Sequence, residues 1–294
     1  MLTTTMMTTA STPCLICEAE NKPDALVCSR CYAPMALIHE AAAQDRDPCI
    51  VSVIGESNTG KTVYLGTLLD MLSKRAGDFE AVPKGAYSVN LQHNVVSHLG
   101  TRQFPPKTPT EVDQWHWAYY QVAHHRHGDM IYDLVMPDMA GEALAAEVSS
   151  PKTYTVIRSL LEKSAGSLLL VDAGVAAAGS PQPDFFALKL LSYLDGIFAK
   201  KRGEKIDTPV AIVLCKGDYC PECFDDPRIF AKTNLNRTWN LCESRFEKYD
   251  FFAASVVGSL GYAHDAEGNV IPYPLHCSPR GILEPFEWVL AHLS

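Results

Sequence analysis

The chain has 294 residues, 47% of them apolar and 20% charged, and carries a formal net charge of −9. That length accommodates one α/β domain of ordinary size plus a small accessory module. The acidic balance argues against a nucleic-acid partner, since such binding relies on Lys and Arg neutralising phosphates. The longest uncharged apolar stretch, around Leu168 to Gly179, is broken by Asp172, so no membrane span is expected.

Residues 1–12 (MLTTTMMTTAST) lack the basic start and apolar run of a signal peptide and read as a disordered tail. Ten cysteines without an export signal suggest a reducing, cytoplasmic compartment, where paired cysteines serve as metal ligands rather than disulfides. Within residues 13–34, Cys14-x2-Cys17 and Cys28-x2-Cys31 are separated by ten residues. Each C-x-x-C presents two thiolates from a tight turn, and two such turns complete a tetrahedron. Four soft thiolates select Zn²⁺, so this stretch is expected to be a zinc ribbon; redox pairs are the alternative. With only Ala25, Leu26 and Val27 as apolar cover, it would not fold without its metal. Residues 1–48 hold Lys22, Arg30 and Arg46 against six acidic residues, which favours a protein-docking or capping role over nucleic-acid reading. Residues 35–48 read as a linker, helical at first (MALIHEAAA) and then polar.

From Cys49 to the end, short apolar runs alternate with helical stretches, the pattern of a mostly parallel sheet covered by helices on both faces. Strands are expected at 49–55 (CIVSVIG), 131–137 (IYDLVMP), 167–173 (SLLLVDA), 209–215 (PVAIVLC) and 250–255 (DFFAAS). Helices are expected from Thr62, from about Pro151 and Pro183, from Phe224 or later, and over Leu283–Leu293. The stretch from about Ala76 to Ala123, with Pro105, Pro106 and Pro109, reads as one weak strand and a long loop. Its Trp115, Trp117, Tyr119 and Tyr120 fit either core or a partner surface.

Gly55-Glu56-Ser57-Asn58-Thr59-Gly60-Lys61-Thr62 fits the phosphate loop G-x-x-x-x-G-K-[ST], between an apolar strand and a helical pattern. Gly55 and Gly60 let the backbone turn tightly. Ser57, Asn58 and Thr59 present backbone N–H groups to phosphates at a helix N-terminus. Lys61 would reach the β- and γ-phosphates, and the Thr62 hydroxyl would hold Mg²⁺.

Three later segments bear on which nucleotide binds. Asp138-Met139-Ala140-Gly141-Glu142 resembles the D-x-x-G of GTPase switch II, with Asp138 toward Mg²⁺ and the Gly141 N–H toward the γ-phosphate. Cys215-Lys216-Gly217-Asp218 resembles the guanine-specifying N-K-x-D, with Cys215 in the Asn position. The Asp218 carboxylate would accept from guanine N1–H and the 2-amino group, and Lys216 would lie along the base. Ala254-Ser255-Val256 resembles the short motif whose backbone N–H meets guanine O6. All fall at the carboxyl ends of successive expected strands, where open α/β sheets bind ligands. Asp172, in LLLVDAG, competes with Asp138 as the metal Asp, which would make the chain an ATPase or kinase; Asp138 is preferred because Gly141 accompanies it. Thr108 is the chosen switch I threonine, ahead of Thr110 and Thr101. Glu142 stands where many GTPases place a water-orienting Gln, and its charge beside the γ-phosphate predicts slow hydrolysis that needs a partner.

Together these residues resemble the translation-factor-related and Ras-like class of phosphate-loop GTPases. The closer resemblance, over about Cys49 to Ser294, is to the bacterial double-GTPase group. It rests on GESNTGKT, a P-P-K-T switch I, D-x-A-G-E, the Cys-containing K-x-D segment and the L-E-P-F-x-W-x-L end. The resemblance implies a three-layer α/β sandwich binding GTP or GDP with Mg²⁺, and a paired switch in bacterial conflict or signalling. Partners implied are a second GTPase, as homo- or heterodimer, or a protein met through the ribbon or the switch region. A non-hydrolysing nucleotide-sensing module is the other reading. Cys220 and Cys223, with Cys242, His276 or Cys277, read as free thiols rather than a second metal site. His124, His125 and His127 read as a solvated surface, and neither Arg102 nor Arg126 is assigned as an arginine finger.

Overall fold

The structure, a computed structural model, describes residues 11–44, 48–125, 130–199, 204–264 and 267–293. Residues 1–10 of the expected tail, residues 45–47 of the linker (Arg46 among them), Arg126 and His127 lie outside the described residues.

At the amino end, β1 (Thr12–Pro13) pairs antiparallel with β2 (Glu20–Asn21), and α1 (Met35–Ala42) follows. The large domain then runs β3 (Cys49–Gly55), α2 (Lys61–Ser73), β4 (Phe79–Pro83), α3 (Ser88–Gly100), β5 (His116–His124), β6 (Met130–Asp138), α4 (Gly141–Ser149) and α5 (Thr155–Glu162). It continues with β7 (Ser164–Asp172), α6 (Ala173–Ala177), α7 (Gln182–Phe198), β8 (Val210–Cys215), α8 (Pro227–Asn234), α9 (Asn236–Arg245) and β9 (Tyr249–Ala253). A hairpin, β10 (Ser255–His264) with β11 (Val270–Arg280), precedes α10 (Leu283–His292).

Seven strands form one sheet in the order β4-β5-β6-β3-β7-β8-β9. The five from β6 to β9 are parallel, and β5 joins them antiparallel, with β4 antiparallel to β5. Each central strand splits its side chains by period two between two cores. Ile50, Ile54, Leu169, Val171, Ile212 and Leu214 face the side carrying α4 to α9. Val51, Val53, Leu168, Leu170, Ala211 and Val213 face the side carrying α2, α3 and α10. Strands buried on both faces have to read as unbroken apolar runs, which is why these were visible in the sequence. The result is the three-layer α/β sandwich.

The stretch expected to be mostly loop is where the reading fails. Residues 88–100 form α3, which buries only Ser88, Leu91 and Val95 and so carries a thin apolar stripe. Trp115, Trp117, Tyr119 and Tyr120 are all core residues, and β5 is buried on both faces like its neighbours. The helix expected from about Pro151 begins at Thr155. Before it, the buried Glu147 carboxylate accepts from the Lys152 and Tyr154 N–H groups at 2.9 and 2.7 Å and fixes the turn after α4. His124 corrects a further expectation: it is 1% exposed and stacks on Phe79 at 4.4 Å rather than facing solvent.

Candidate functional site

The phosphate loop joins β3 to α2. Gly60 is the N-cap of α2 with φ at +91°, a left-handed conformation natural to glycine. The turn brings the Glu56 carbonyl back over the helix end, where it accepts from Thr59 Oγ1 and Lys61 Nζ, each at 2.8 Å. Lys61 is 7% exposed, and burial pulls its ammonium pKa down to about 8 against the opposing pull of Asp138 and Glu142.

Three oxygen-bearing side chains from three segments converge beside it. Thr108 Oγ1, from the loop before β5, donates to Asp138 Oδ2 at 2.8 Å. Thr62 Oγ1 lies 2.8 Å from Thr108 Oγ1 and 3.1 Å from Asp138 Oδ2. Asp138 ends β6 next to β3 and is 1% exposed; burial pushes its carboxyl pKa upward. Two hydroxyls and a carboxylate are the hard oxygen donors Mg²⁺ prefers, so the set fits that ion. Of the rival threonines, Thr101 bonds the Ser97 and His98 carbonyls at the end of α3, and Thr110 Oγ1 lies 3.4 Å from Glu111.

Gly141 opens α4 directly against the loop. A Cβ there would sit 2.5 Å from Ser57 N and 2.7 Å from Lys61 Nζ, so only glycine admits this approach. Glu142 then accepts from Ser57 Oγ and lies 3.7 Å from Lys107 Nζ. The Ser57 hydrogen bond, chiefly, holds its carboxyl below the ordinary value, so it is ionised.

One cavity of about 370 Å³ connects this end to a second one. It runs from Ser57, Lys61 and Glu142 past Cys215, Lys216 and Asp218 to Ser255 and Val256. Asp218 Oδ1 accepts from Ser255 Oγ at 2.7 Å, and the Gly217 N–H bonds the Ala254 carbonyl, so two strand ends form one recess. Asp172 is otherwise engaged. Its Oδ1 caps α6 through the Val175 N–H at 3.0 Å, and its Oδ2 pairs with Lys216 Nζ at 2.7 Å. Cys215 is 5% exposed, and burial drives its thiol pKa well above the ordinary value, so it is a neutral, weakly polar wall.

Residues 52–205 match the family model for Double-GTPase 1, which spans over half of the chain. The chain belongs to the Double-GTPase 1 family. It is by fold and family a P-loop GTPase, a GTP-binding switch protein. No curated protein matches the sequence. Among solved structures it is similar to a nucleolar GTP-binding protein 1 from Plasmodium falciparum, at 10% identity over 85% of this chain and 89% of that one, TM-score 0.44. It is also similar to the signal recognition particle receptor SRb-GTP/SRX complex from Chaetomium thermophilum (17% identity, 73% and 93% covered, TM-score 0.39). A third is a small COPII coat GTPase from Encephalitozoon cuniculi in complex with GDP (13% identity, 88% and 85% covered, TM-score 0.39).

This Double-GTPase 1 member also carries the cysteine cluster. The Sγ atoms of Cys14, Cys17, Cys28 and Cys31 lie within 4.8 Å of one another and are all buried. Cys14 meets Cys31, and Cys17 meets Cys28, at 3.5 Å. A zinc tetrahedron with bonds of about 2.3 Å sets its sulfurs about 3.8 Å apart, close to the two 3.5 Å pairs, and four converging thiols are the soft donor set that fits that ion. The Ile16 and Arg30 N–H groups and the Asn21 amide point at these sulfurs, as outer-shell donors do around thiolates. Lys163 at the end of α5 fastens the module by donating to the Leu15 carbonyl and pairing with Glu18 at 2.8 Å. Among the described residues no second cluster involves Cys220, Cys223, Cys242, His276 or Cys277. No helix of the described residues is long and apolar enough to cross a membrane.

Sequence reasoning missed the hairpin, which adds Val257, Leu260 and Pro272 to the cavity, and Lys107 beside Glu142. Lys107 carried a signal: it immediately precedes Thr108.

Proposed function

We propose that the chain is a GTP-binding switch that hydrolyses GTP slowly on its own. The observation that carries this reading is the meeting of Thr62, Thr108 and Asp138 beside Lys61. In it, Lys61 leaves the Glu56 carbonyl for the β- and γ-phosphates, and the N–H groups of residues 57–62 cradle the same oxygens. Thr62, Thr108 and Asp138 would hold Mg²⁺, which when bound would neutralise charge on the phosphates. Because Thr108 belongs to a proline-rich loop, its place in that set would register the γ-phosphate. The Gly141 N–H faces the γ-phosphate. At the other end Asp218 accepts from guanine N1–H and the 2-amino group, Lys216 lies along the base, and the backbone at Ser255 and Val256 meets O6.

Glu142 makes the enzyme slow. An ionised carboxylate accepts a proton or orients water less well here than it repels a γ-phosphate, and it occupies Ser57. Acceleration then falls to a partner that screens or moves Glu142. We place that partner at the switch region or the ribbon, as a second GTPase or another protein, in a bacterial conflict or signalling setting in the cytoplasm. Mixing purified protein with excess over GTP under single-turnover conditions tests this. Slow wild-type hydrolysis, raised by Glu142→Gln, is expected; a fast wild-type rate contradicts it. The position of Glu142 also favours a second reading, a nucleotide sensor that does not hydrolyse, in which case Glu142→Gln stays inactive while binding is unchanged. Displacement of labelled GTP by ATP would instead favour an ATPase.

A further inference from the structure

The β10–β11 hairpin shares no ladder with the seven-stranded sheet, yet both of its roots lie in the nucleotide cavity. At its entry Ser255 Oγ donates to Asp218. At its exit the Ile282 carbonyl accepts from Tyr64 Oη at 2.8 Å, and Tyr64 is the buried residue two positions after Thr62 in α2. The hairpin therefore bridges the base end and the phosphate end.

Between the roots, register decides which side chains face the cavity. Leu260 stands opposite Pro274 and Tyr262 opposite Pro272. Residues at this spacing share one face of an antiparallel pair. Leu260 and Pro272, with Val257 at the hairpin's base, line the cavity, and so does Tyr219 beside Asp218. The Gly217–Tyr219 turn packs against β10, which joins the hairpin to the K-x-D segment. On the opposite face the Tyr273 ring lies on Gly261, where a Cβ would come within 2.4 Å of it. That contact fixes which face points inward.

The base end is thus polar on one edge, with Asp218 and Lys216, and apolar across from it. A carboxylate that reads N–H groups on the edge of a flat ring works only if the ring's faces are held, and apolar contact does that at least cost. We propose that the hairpin is part of the nucleoside site, with Leu260 and Pro272 forming the wall that packs against the purine and ribose. Nucleoside occupancy and hairpin order are then one equilibrium. The inference rests on the proposed nucleotide reading. Pro272 and Pro274 bear on the alternative use of such a hairpin: prolines lie in a strand only where their nitrogen faces away from the ladder, so they blunt the outer edge of β11 against strand addition.

Hydrogen exchange of the full chain with Mg²⁺ and either GDP or pyrophosphate tests it. GDP should slow exchange both in the phosphate loop and at 257–262 and 271–275, whereas pyrophosphate, lacking the nucleoside, should slow only the loop. Protection of the loop by GDP with an unchanged hairpin overturns the inference and leaves the nucleotide reading standing; no protection at either place overturns both. As a second measure, release of a fluorescent GDP should be about tenfold faster in Leu260→Asp, the worth of one buried aliphatic contact. Val270→Asp, on an exposed position outside the cavity, should keep the wild-type rate. Pyrophosphate affinity checks that the Leu260 variant is folded. Equal release rates in all three proteins, with that affinity intact, overturn the inference.

Discussion

The two ends of the cavity, the one proposed for the phosphates and the one proposed for the base, are assembled differently. At the phosphate end the groups are paired with one another in advance: Lys61 with the Glu56 carbonyl, Thr108 with Asp138, Ser57 with Glu142. They come from three segments between residues 55 and 142, all within the family match. The base end draws on β8, β9 and the hairpin, all beyond residue 205, and departs from the usual residue at Cys215. Preorganised charge should therefore set affinity at one end, while packing and a single carboxylate set selectivity at the other.

Removing the buried cation tests the first half of that contrast. Lys61→Ala should weaken a non-hydrolysable GTP analogue by about 2–5 kcal/mol, or roughly 30- to several-thousand-fold, because it leaves phosphate oxygens unpaired in a closed site. Titration calorimetry reads this directly. A loss under threefold would mean that the phosphate end does not dominate.

The second half turns on Asp218. Asp218→Asn replaces an acceptor with a donor and should cost GTP about 1.5–3 kcal/mol, roughly ten- to a hundredfold, as for hydrogen bonds to a charged group. Xanthosine triphosphate, which presents a carbonyl where guanine has its amino group, should gain. If GTP is unaffected and xanthosine triphosphate does not improve, Asp218 does not read the base.

The same division explains what could be read from the sequence. The phosphate loop, Asp138 and Gly141 are legible because backbone geometry forces glycine and a fixed spacing, and because doubly buried strands leave apolar runs. Thr108 stands out from Thr101 and Thr110 by its place in FPPKTPTE, and it is the one that lies beside Thr62. The four ribbon cysteines were legible for a similar reason, since a metal tetrahedron dictates their spacing. Helix α3 was not legible: it packs through Leu91 and Val95 with little else apolar, and its neighbours carry prolines. Nor was the hairpin, whose VIPYPLHCSPR strand breaks alternation with three prolines and whose partner strand carries two glycines. Its position over the cavity depends on tertiary contacts such as Tyr64 with Ile282, 218 residues apart in the chain.

pH separates the two ends by a smaller effect. In the free protein burial holds the Lys61 pKa at about 8, so the ammonium is charged below that value and lost above it. Bound phosphate favours the charged form, raising the pKa, so binding takes up a proton once the pH passes 8. Affinity for the GTP analogue should be flat from pH 6.5 to 7.5 and then fall by at most about tenfold per unit. Affinity that stays flat to pH 9 would show that Lys61 is not desolvated in solution.

Cys215→Asn should have the smallest effect and the most informative sign. The Cys215 thiol lies at the end of β8, is neutral, and forms part of the cavity wall between Lys61 and Lys216. An Asn there gains an amide that can bond both the base and the strand end opposite, worth about 0.5–1.5 kcal/mol, a few-fold to tenfold tighter GTP. Against it stands volume: Asn is larger than Cys, and Tyr64, Val213 and Ala254, which share its core, are buried completely or nearly so. If the pocket is shaped to the thiol, overpacking costs about 1–3 kcal/mol and binding weakens instead. Tighter binding with unchanged melting temperature would mean that the base end is an ordinary guanine site lacking one contact. Weaker binding together with a lowered melting temperature would mean that Cys215 is fitted to its neighbours, and that the hairpin wall, rather than the missing amide, holds the base.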